Sequence, residues 1–248
     1  DRAVPLESHL AEGLVGDPVV SIHTELDGAA WVVTPTHLHR VSGAGVEVVP
    51  TTSLPANAAL RDIFRLRDGT LVLRSLEGVL YRRRDAQFER WIPSGTPDSL
   101  AVRWLIEDRD SNLWLGTEHH GLFRVNARGT TQYSEQDGFP GGRVRTMLED
   151  SAGNLWLGTF DKGLHRFRDG AFATWGKPEG FASDTVYSVV DDRRGNTWVA
   201  TGDGLTTAQA VGRRLGIAEG AQDLLARLAP LHPRRGLFLE HPLERRTH

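Results

Sequence analysis

The chain has 248 residues, of which 25% are charged and 39% hydrophobic, as in a globular protein with one large domain or two small ones. Its formal net charge of −3 argues against a nucleic-acid-binding surface or a polybasic membrane patch, and no apolar run is long enough to cross a bilayer. The absence of cysteine excludes disulfides, thiolate metal sites and a cysteine nucleophile.

One sequence pattern recurs along the chain about every 42 residues. The hexapeptides at 112–117 and 154–159 are identical, Asn-Leu-Trp-Leu-Gly-Thr, and 196–201 is a close third. Counting back from their tryptophans gives five slot residues, in chain order Trp31, Val72, Trp114, Trp156 and Trp198. Two further sets of residues recur at the same interval: Leu38, Leu80, Leu122, Leu164 and Leu205, and Trp91, Tyr133 and Trp175. Three sets with the same interval indicate a repeat architecture.

Each period predicts four short β-strands. In the fourth repeat the strands fall at 144–150, 155–159, 164–167 and 171–175, separated by turns rich in Gly, Asn and Asp. Such a sheet is a propeller blade, which buries its faces against the next blade. We therefore predict an all-β fold, a β-propeller of about five four-stranded blades over residues 1–205, with the slot tryptophans as interblade core. The sequence leaves open whether the ring is complete.

The repeat resembles the two-component regulator propeller repeat. The resemblance lies in the string from Glu149 to Thr159, in the following Gly163-Leu164 and in the loop 137–140. It is strong over 101–205 and degenerate over 12–100. Six residues before the slot stands an aspartate, one position further away than in the sialidase-type Asp-box; these are Asp108, Asp150 and Asp192. We expect them to cap the turn after the first strand rather than to catalyse.

The two ends of the chain depart from the pattern. Residues 4–8 are in phase with 171–175 and could add a fourth strand to the last blade, closing the ring. Residues 206–248 read as a non-repeat tail, either disordered or with one short helix at 217–229, and a truncation or frame shift would explain their poor fit. Because residue 1 is Asp and not Met, we expect an upstream segment to have been removed.

One set of side chains predicts a binding site. The second residue of each inner strand, eleven before the slot, is Arg61, Arg103, Arg145 and then Tyr187, with Val20 in the first repeat. Inner strands ring the central channel of a propeller, so these side chains should meet at one mouth. Guanidinium groups suit carboxylates and sulfates, and aromatic rings suit sugar faces.

We therefore predict a small-molecule or glycan-like ligand, anionic in character. The predicted ligand-binding residues are Arg61, Arg103, Trp104, Arg143, Arg145 and Tyr187. The alternative reading is structural: the three strand arginines would pair between blades with Glu107, Glu149 and Asp191.

Other chemistry has little support in the sequence. Nucleotide, serine-hydrolase and zinc-protease motifs are missing, and we predict no catalytic residue, cofactor or metal site. The pair His119-His120 falls in a predicted turn, which favours a solvated turn over metal ligands. His39 and His165 share the third-strand position of Tyr81 and Phe123 and are predicted to be packing or rim residues.

The resemblance implies the extracytoplasmic ligand-sensing module of a bacterial hybrid histidine kinase or diguanylate cyclase, on the periplasmic or extracellular side of the inner membrane. Its partners would be a small-molecule or carbohydrate ligand, signalling domains and a membrane span that this chain lacks and, in a homodimer, a second copy. Two alternatives stay open. One is a polysaccharide lyase or hydrolase, with Asp62 and the His119-His120 pair as candidates; the other is a protein-interaction scaffold acting through loops 93–100, 135–143 and 177–185.

Overall fold

The structure is a computed structural model that describes residues 18–25, 27–181, 183–192, 196–209 and 216–217. These residues form five four-stranded antiparallel sheets, each a meander of consecutive strands. Blade 1 comprises β1 (Ser21–Thr24), β2 (Ala30–Val33), β3 (Leu38–Ser42) and β4 (Gly45–Val49). Blade 2 comprises β5 (Leu60–Arg65), β6 (Leu71–Ser75), β7 (Leu80–Arg84) and β8 (Gln87–Arg90).

The other three blades follow the same plan. Blade 3 comprises β9 (Val102–Glu107), β10 (Leu113–Thr117), β11 (Leu122–Asn126) and β12 (Gly129–Tyr133). Blade 4 comprises β13 (Val144–Glu149), β14 (Leu155–Thr159), β15 (Leu164–Arg168) and β16 (Ala171–Trp175). Blade 5 comprises β17 (Val186–Asp191), β18 (Asn196–Thr201), β19 (Gly204–Gln209) and β20 (Gly216–Ile217). Short 3-10 turns at Glu135–Asp137 and Lys177–Glu179 precede the last two blades.

The blades stand in a ring, with the first strand of each sheet innermost, so the predicted five-bladed β-propeller is confirmed. Four apolar cores join the blades in chain order. In each core the slot residue of one blade packs on the next blade; these residues are Trp31, Val72, Trp114 and Trp156. Trp198 is half-buried. Among the described residues, no apolar core joins blade 5 to blade 1.

The three aspartates that stand six residues before Trp114, Trp156 and Trp198 cap their turns, as the sequence predicts. Asp150 accepts hydrogen bonds from the backbone of Ala152 and Asn154, from the Asn154 amide and from Trp156 Nε1, the last at 2.7 Å. Burial acts to raise the pKa of the Asp150 carboxyl group, but these bonds outweigh it and lower that pKa. Asp108 and Asp192 bind their own turn and indole in the same way.

Part of the C-terminal region continues the last blade. β19 runs on to Gln209, and the pair Gly216–Ile217 adds a fourth strand beside it. Ile217, the first residue of the predicted helix at 217–229, is thus in a β-strand, and the rest of that segment lies outside the described residues. The strand predicted at 4–8 also lies outside them.

Candidate ligand-binding site at the channel mouth

A β-bulge interrupts the start of the inner strand in four of the five blades. In each case the pairing register skips one residue, which is left out of the ladder. The skipped residues are Arg61, Arg103, Arg145 and Tyr187. A bulge frees a side chain from the alternation of the strand and re-aims it. The four inner-strand residues that the sequence singles out are therefore the four bulge residues.

A second set of residues lies beside the bulges, directly after the second strand of each blade. Their backbone N–H groups donate to the residue just before or at the start of the inner strand: Leu76 to Ala59 at 2.7 Å, Glu118 to Ala101 at 3.1 Å and Phe160 to Arg143 at 3.0 Å. These residues therefore share the end of the channel on which the bulges lie. We call the four bulge residues together with Leu76, Glu118, Arg143 and Phe160 the channel mouth.

The Glu118 carboxylate contacts two of the predicted arginines, and its single negative charge offsets one of their two positive charges. Its carboxylate forms an ion pair with Arg103 of the same blade and lies 3.4 Å from Nη1 of Arg143, which leads into blade 4. Arg103 Nη1 also donates to the Leu76 carbonyl at 3.4 Å, reaching blade 2. Glu118 is only 13% exposed, so this network joins blades 2, 3 and 4 at the rim.

Arg145 is surrounded by aromatic rings instead of acids. Its guanidinium carbon lies 4.6 Å from the ring centre of Tyr187 and 5.3 Å from that of Phe160. The guanidinium carbon of Arg143 lies 4.1 Å from the ring centre of Phe160. Burial lowers the pKa of Arg145, and the charges of Arg143 and Arg61 act in the same direction while Tyr187 opposes them. The mouth therefore concentrates positive charge around Arg145.

Arg61 contributes to the same positive region from blade 2. Its charge lowers the pKa of Arg145 in blade 4, and also that of the buried Arg74. Arg61 is half-buried, and within the described residues neither it nor Arg145 forms an ion pair or hydrogen bond. Two guanidinium groups are therefore uncompensated.

Trp104, the residue after Arg103, packs against apolar side chains of the neighbouring blades. Its ring packs edge-on against Phe64 of blade 2, with ring centres 5.7 Å apart, and contacts the core between blades 3 and 4. It is half-buried. Trp104 therefore contributes to packing between blades.

The structure does not contain the alternative ion pairs between the three strand arginines and acids of the inner strands. Glu107, Glu149 and Asp191 stand at the far ends of those strands and accept backbone N–H groups of the preceding blade. The donors are Arg67 N at 2.6 Å, Arg109 N at 2.9 Å and Ser151 N at 3.0 Å, respectively. This repeated contact fastens neighbouring blades at the end of the channel opposite the mouth.

The residues considered for catalysis have other roles in the fold. Asp62 is buried and forms an ion pair with the buried Arg74, whose Nη1 also donates to the Ser75 carbonyl at 3.1 Å. His119 and His120 are exposed in the turn after β10. His39 and His165 are buried packing residues. No group of three or more potential metal ligands is found within the described residues.

Sequence reasoning did not single out Glu118, Phe160 and Arg74. Glu118 and Phe160 both stand four residues after the slot, and Arg74 stands two after it, where blades 3 and 4 have Gly116 and Gly158. The available signal was a change of residue type at a fixed repeat position: Leu76, then Glu118, then Phe160. Such a change marks a position that the fold does not constrain.

The fold and mouth define the class of protein as a β-propeller with a charged channel opening. Residues 96–119 and 138–161 match the model of the two component regulator propeller family. These two matched segments confirm the resemblance seen in the sequence. No curated protein matches the chain. None of the described helices is long and apolar enough to span a membrane.

Solved structures show the same fold at low identity. The extracellular domain of BT4673 from B. thetaiotaomicron, described as a hybrid two component system, aligns with a TM-score of 0.69 and 18% identity, over 86% of this chain and 32% of that chain. The corresponding domain of BT3049 gives 0.65 and 21%, over 83% and 29%. Virginiamycin B lyase from Staphylococcus aureus gives 0.64 and 13%, over 81% and 69%. The chain thus spans about a third of the two B. thetaiotaomicron domains.

Proposed function

We propose that this chain is the ligand-sensing propeller of a bacterial signalling protein of the hybrid histidine kinase or diguanylate cyclase kind. It binds a small molecule or glycan at the channel mouth, on the periplasmic or extracellular side of the inner membrane, and has no catalytic activity of its own. The observation that carries this proposal is the match of two segments to the two component regulator propeller family. The likeness to extracellular domains of hybrid two-component systems supports it.

The mouth has the chemistry that such a role requires. Arg61 and Arg145 offer uncompensated donors, and Tyr187 and the 38%-exposed Phe160 offer rings on which a sugar face can pack. A ligand that contacts blades 2, 4 and 5 at once would favour one arrangement of the ring or of a homodimer. It can change signalling only by its difference in affinity for the two states.

A polysaccharide lyase or hydrolase is the second candidate, because the fold is shared with virginiamycin B lyase. Acid–base catalysis needs a carboxyl group or imidazole that is free to exchange protons with a substrate. Asp62 is tied to Arg74, and His119 and His120 are exposed in the turn after β10. These contacts favour binding over turnover.

Thermal unfolding of the full chain with a panel of saccharides and small organic acids tests the proposal. We expect at least one compound to raise the unfolding temperature, and Arg145→Ala and Tyr187→Ala to remove that rise because both side chains line the mouth. Arg128→Ala is the matched control, since Arg128 is exposed at the opposite end of blade 3. Release of reducing ends or unsaturated products from the stabilising saccharide would contradict a purely sensory role.

A further inference from the structure

In one half of the channel mouth two arginines share a carboxylate, and in the other half two arginines have no described acid partner. On the side of blade 3, the Glu118 carboxylate binds both Arg103 and Arg143. On the other side, Arg61 and Arg145 form no ion pair or hydrogen bond with a described residue. The guanidinium groups that have no described ion-pair or hydrogen-bond partner are therefore these two, whereas Arg103 and Arg143 share one carboxylate.

The half of the mouth that contains Arg61 and Arg145 lowers the stability of the free protein. Charged groups that lose water are normally paired, because the desolvation free energy is otherwise uncompensated. Arg145 loses water to the rings of Tyr187 and Phe160, and the like charge of Arg61 adds repulsion across the channel. An oxyanion placed between the two guanidinium groups would remove both costs at once.

We propose that Arg61 and Arg145 together bind an oxyanion, a carboxylate or a sulfate, which bridges blades 2 and 4 across the channel. This inference rests on the proposed function of the mouth and narrows its ligand to an anionic class. Each guanidinium presents a planar fork of donors that matches such a group, and the rings of Tyr187 and Phe160 are placed to pack on the remainder of the ligand. A free organic acid and an acidic sugar share this chemistry.

The position of the site makes binding a property of the whole ring. Blades 2 and 4 are not neighbours; blade 3 and its Glu118 network lie between them. An anion held by both arginines links two blades that otherwise repel each other at the mouth. Because only the folded ring brings the two arginines together, the anion must stabilise the folded state.

Titration of the full chain with sulfate, malonate, galacturonate and galactose, at constant ionic strength set with sodium chloride, tests the inference. We expect the three oxyanions to bind and to raise the unfolding temperature, and galactose to do so at least about tenfold more weakly, since it lacks charge-assisted bonds. Comparing the affinities for malonate and galacturonate distinguishes a free organic acid from an acidic sugar as the ligand. Tighter binding of malonate indicates a free organic acid, and tighter binding of galacturonate indicates an acidic sugar.

Two substitutions at the site and one at Glu118 make the test specific. Arg61→Gln and Arg145→Gln should each weaken oxyanion binding about tenfold or more, and should not lower the unfolding temperature of the free protein, because each removes the repulsion. Glu118→Gln should tighten binding, because it releases Arg103 and Arg143. Arg128→Gln is the matched control and should leave affinity unchanged.

Oxyanion binding that withstands both Arg61→Gln and Arg145→Gln would overturn the inference. So would binding of galactose that equals that of galacturonate and depends on Tyr187 alone, although ligand sensing at the mouth would then stand. Conversely, turnover of a galacturonate polymer that requires Arg61 and Arg145 would reject the sensory role and support the oxyanion site. The two proposals therefore fail by different measurements.

Discussion

Trp114, Trp156 and Trp198 are each tied to their turn by an aspartate six residues earlier. In blade 4 the Asp150 carboxylate accepts from two backbone N–H groups, the Asn154 amide and the Trp156 indole in a buried setting. A single side chain thus fixes both the reversal between two strands and the orientation of the interblade indole. The repeat retains this residue for the fold, which explains its recurrence without any catalytic role.

Asp150→Ala should destabilise the protein by about 2–4 kcal/mol, because it leaves several buried donors without an acceptor. Urea-induced unfolding monitored by tryptophan fluorescence measures the loss. Asp110→Ala is the control: Asp110 is exposed in the corresponding turn of blade 3, and its removal should change stability by less than about 0.5 kcal/mol. Equal losses for the two variants would contradict the capping role.

His165 should make stability depend on pH. Burial lowers its pKa to about 4, so the native imidazole is neutral, while in the unfolded chain it titrates at its ordinary value of 6.5. The unfolded state therefore binds more protons as the pH falls through this window, and stability decreases from pH 6.5 towards pH 4 by about 3 kcal/mol in total.

His165→Phe, which introduces the residue that blade 3 has at this position, should flatten that part of the stability profile. Chemical unfolding at a series of pH values between 4 and 7 gives the slope. His119→Phe, at an exposed turn position, should leave the slope unchanged. A wild-type slope in the His165 variant would assign the acid sensitivity to other groups.

At the level of the strand, the position two residues after the slot decides how closely blades approach. A Cβ at Gly158 in β14 would overlap Val186 of blade 5 and lie 2.7 Å from Cγ2 of Thr146. Gly116 in β10 faces Val144 of blade 4 in the same way. In blade 2 this position is occupied by Arg74, whose charge is neutralised by Asp62.

Gly158→Ala should therefore cost about 1–3 kcal/mol through overpacking against the next blade. Thermal and urea unfolding report the change. Gly43→Ala is the control, because a Cβ there meets nothing within 4 Å. If both variants unfold at the same denaturant concentration as the wild type, the blades are less tightly apposed than the structure indicates.

For the molecule as a whole, stability comes from four cores between successive blades. Trp156 is 1% exposed in the core between blades 4 and 5, whereas Trp198 in blade 5 is half-buried. The same repeat position is thus buried to different extents in different blades. We therefore expect it to contribute differently to stability in each blade.

Trp156→Ala should cost about 3–5 kcal/mol, because a large buried side chain leaves a cavity at an interblade contact. Trp198→Ala should cost clearly less, and the pair is compared by urea unfolding of the full chain. A larger loss for Trp198→Ala would show that blade 5 is packed more tightly than its exposure implies.

The sequence by itself determined the repeat, the four-stranded plan of the blade, the turn-capping aspartates and the inner-strand positions of Arg61, Arg103, Arg145 and Tyr187, but not the last strand of blade 5. These features follow from a local period, because a turn and a strand are specified by neighbouring residues. Only the tertiary structure decided the charge balance of the mouth. It brings Glu118 against Arg103 and Arg143, and it leaves Arg61 and Arg145 at the same mouth without an ion-pair partner among the described residues. Pairing between blades depends on distances through space, which the period of a sequence does not encode.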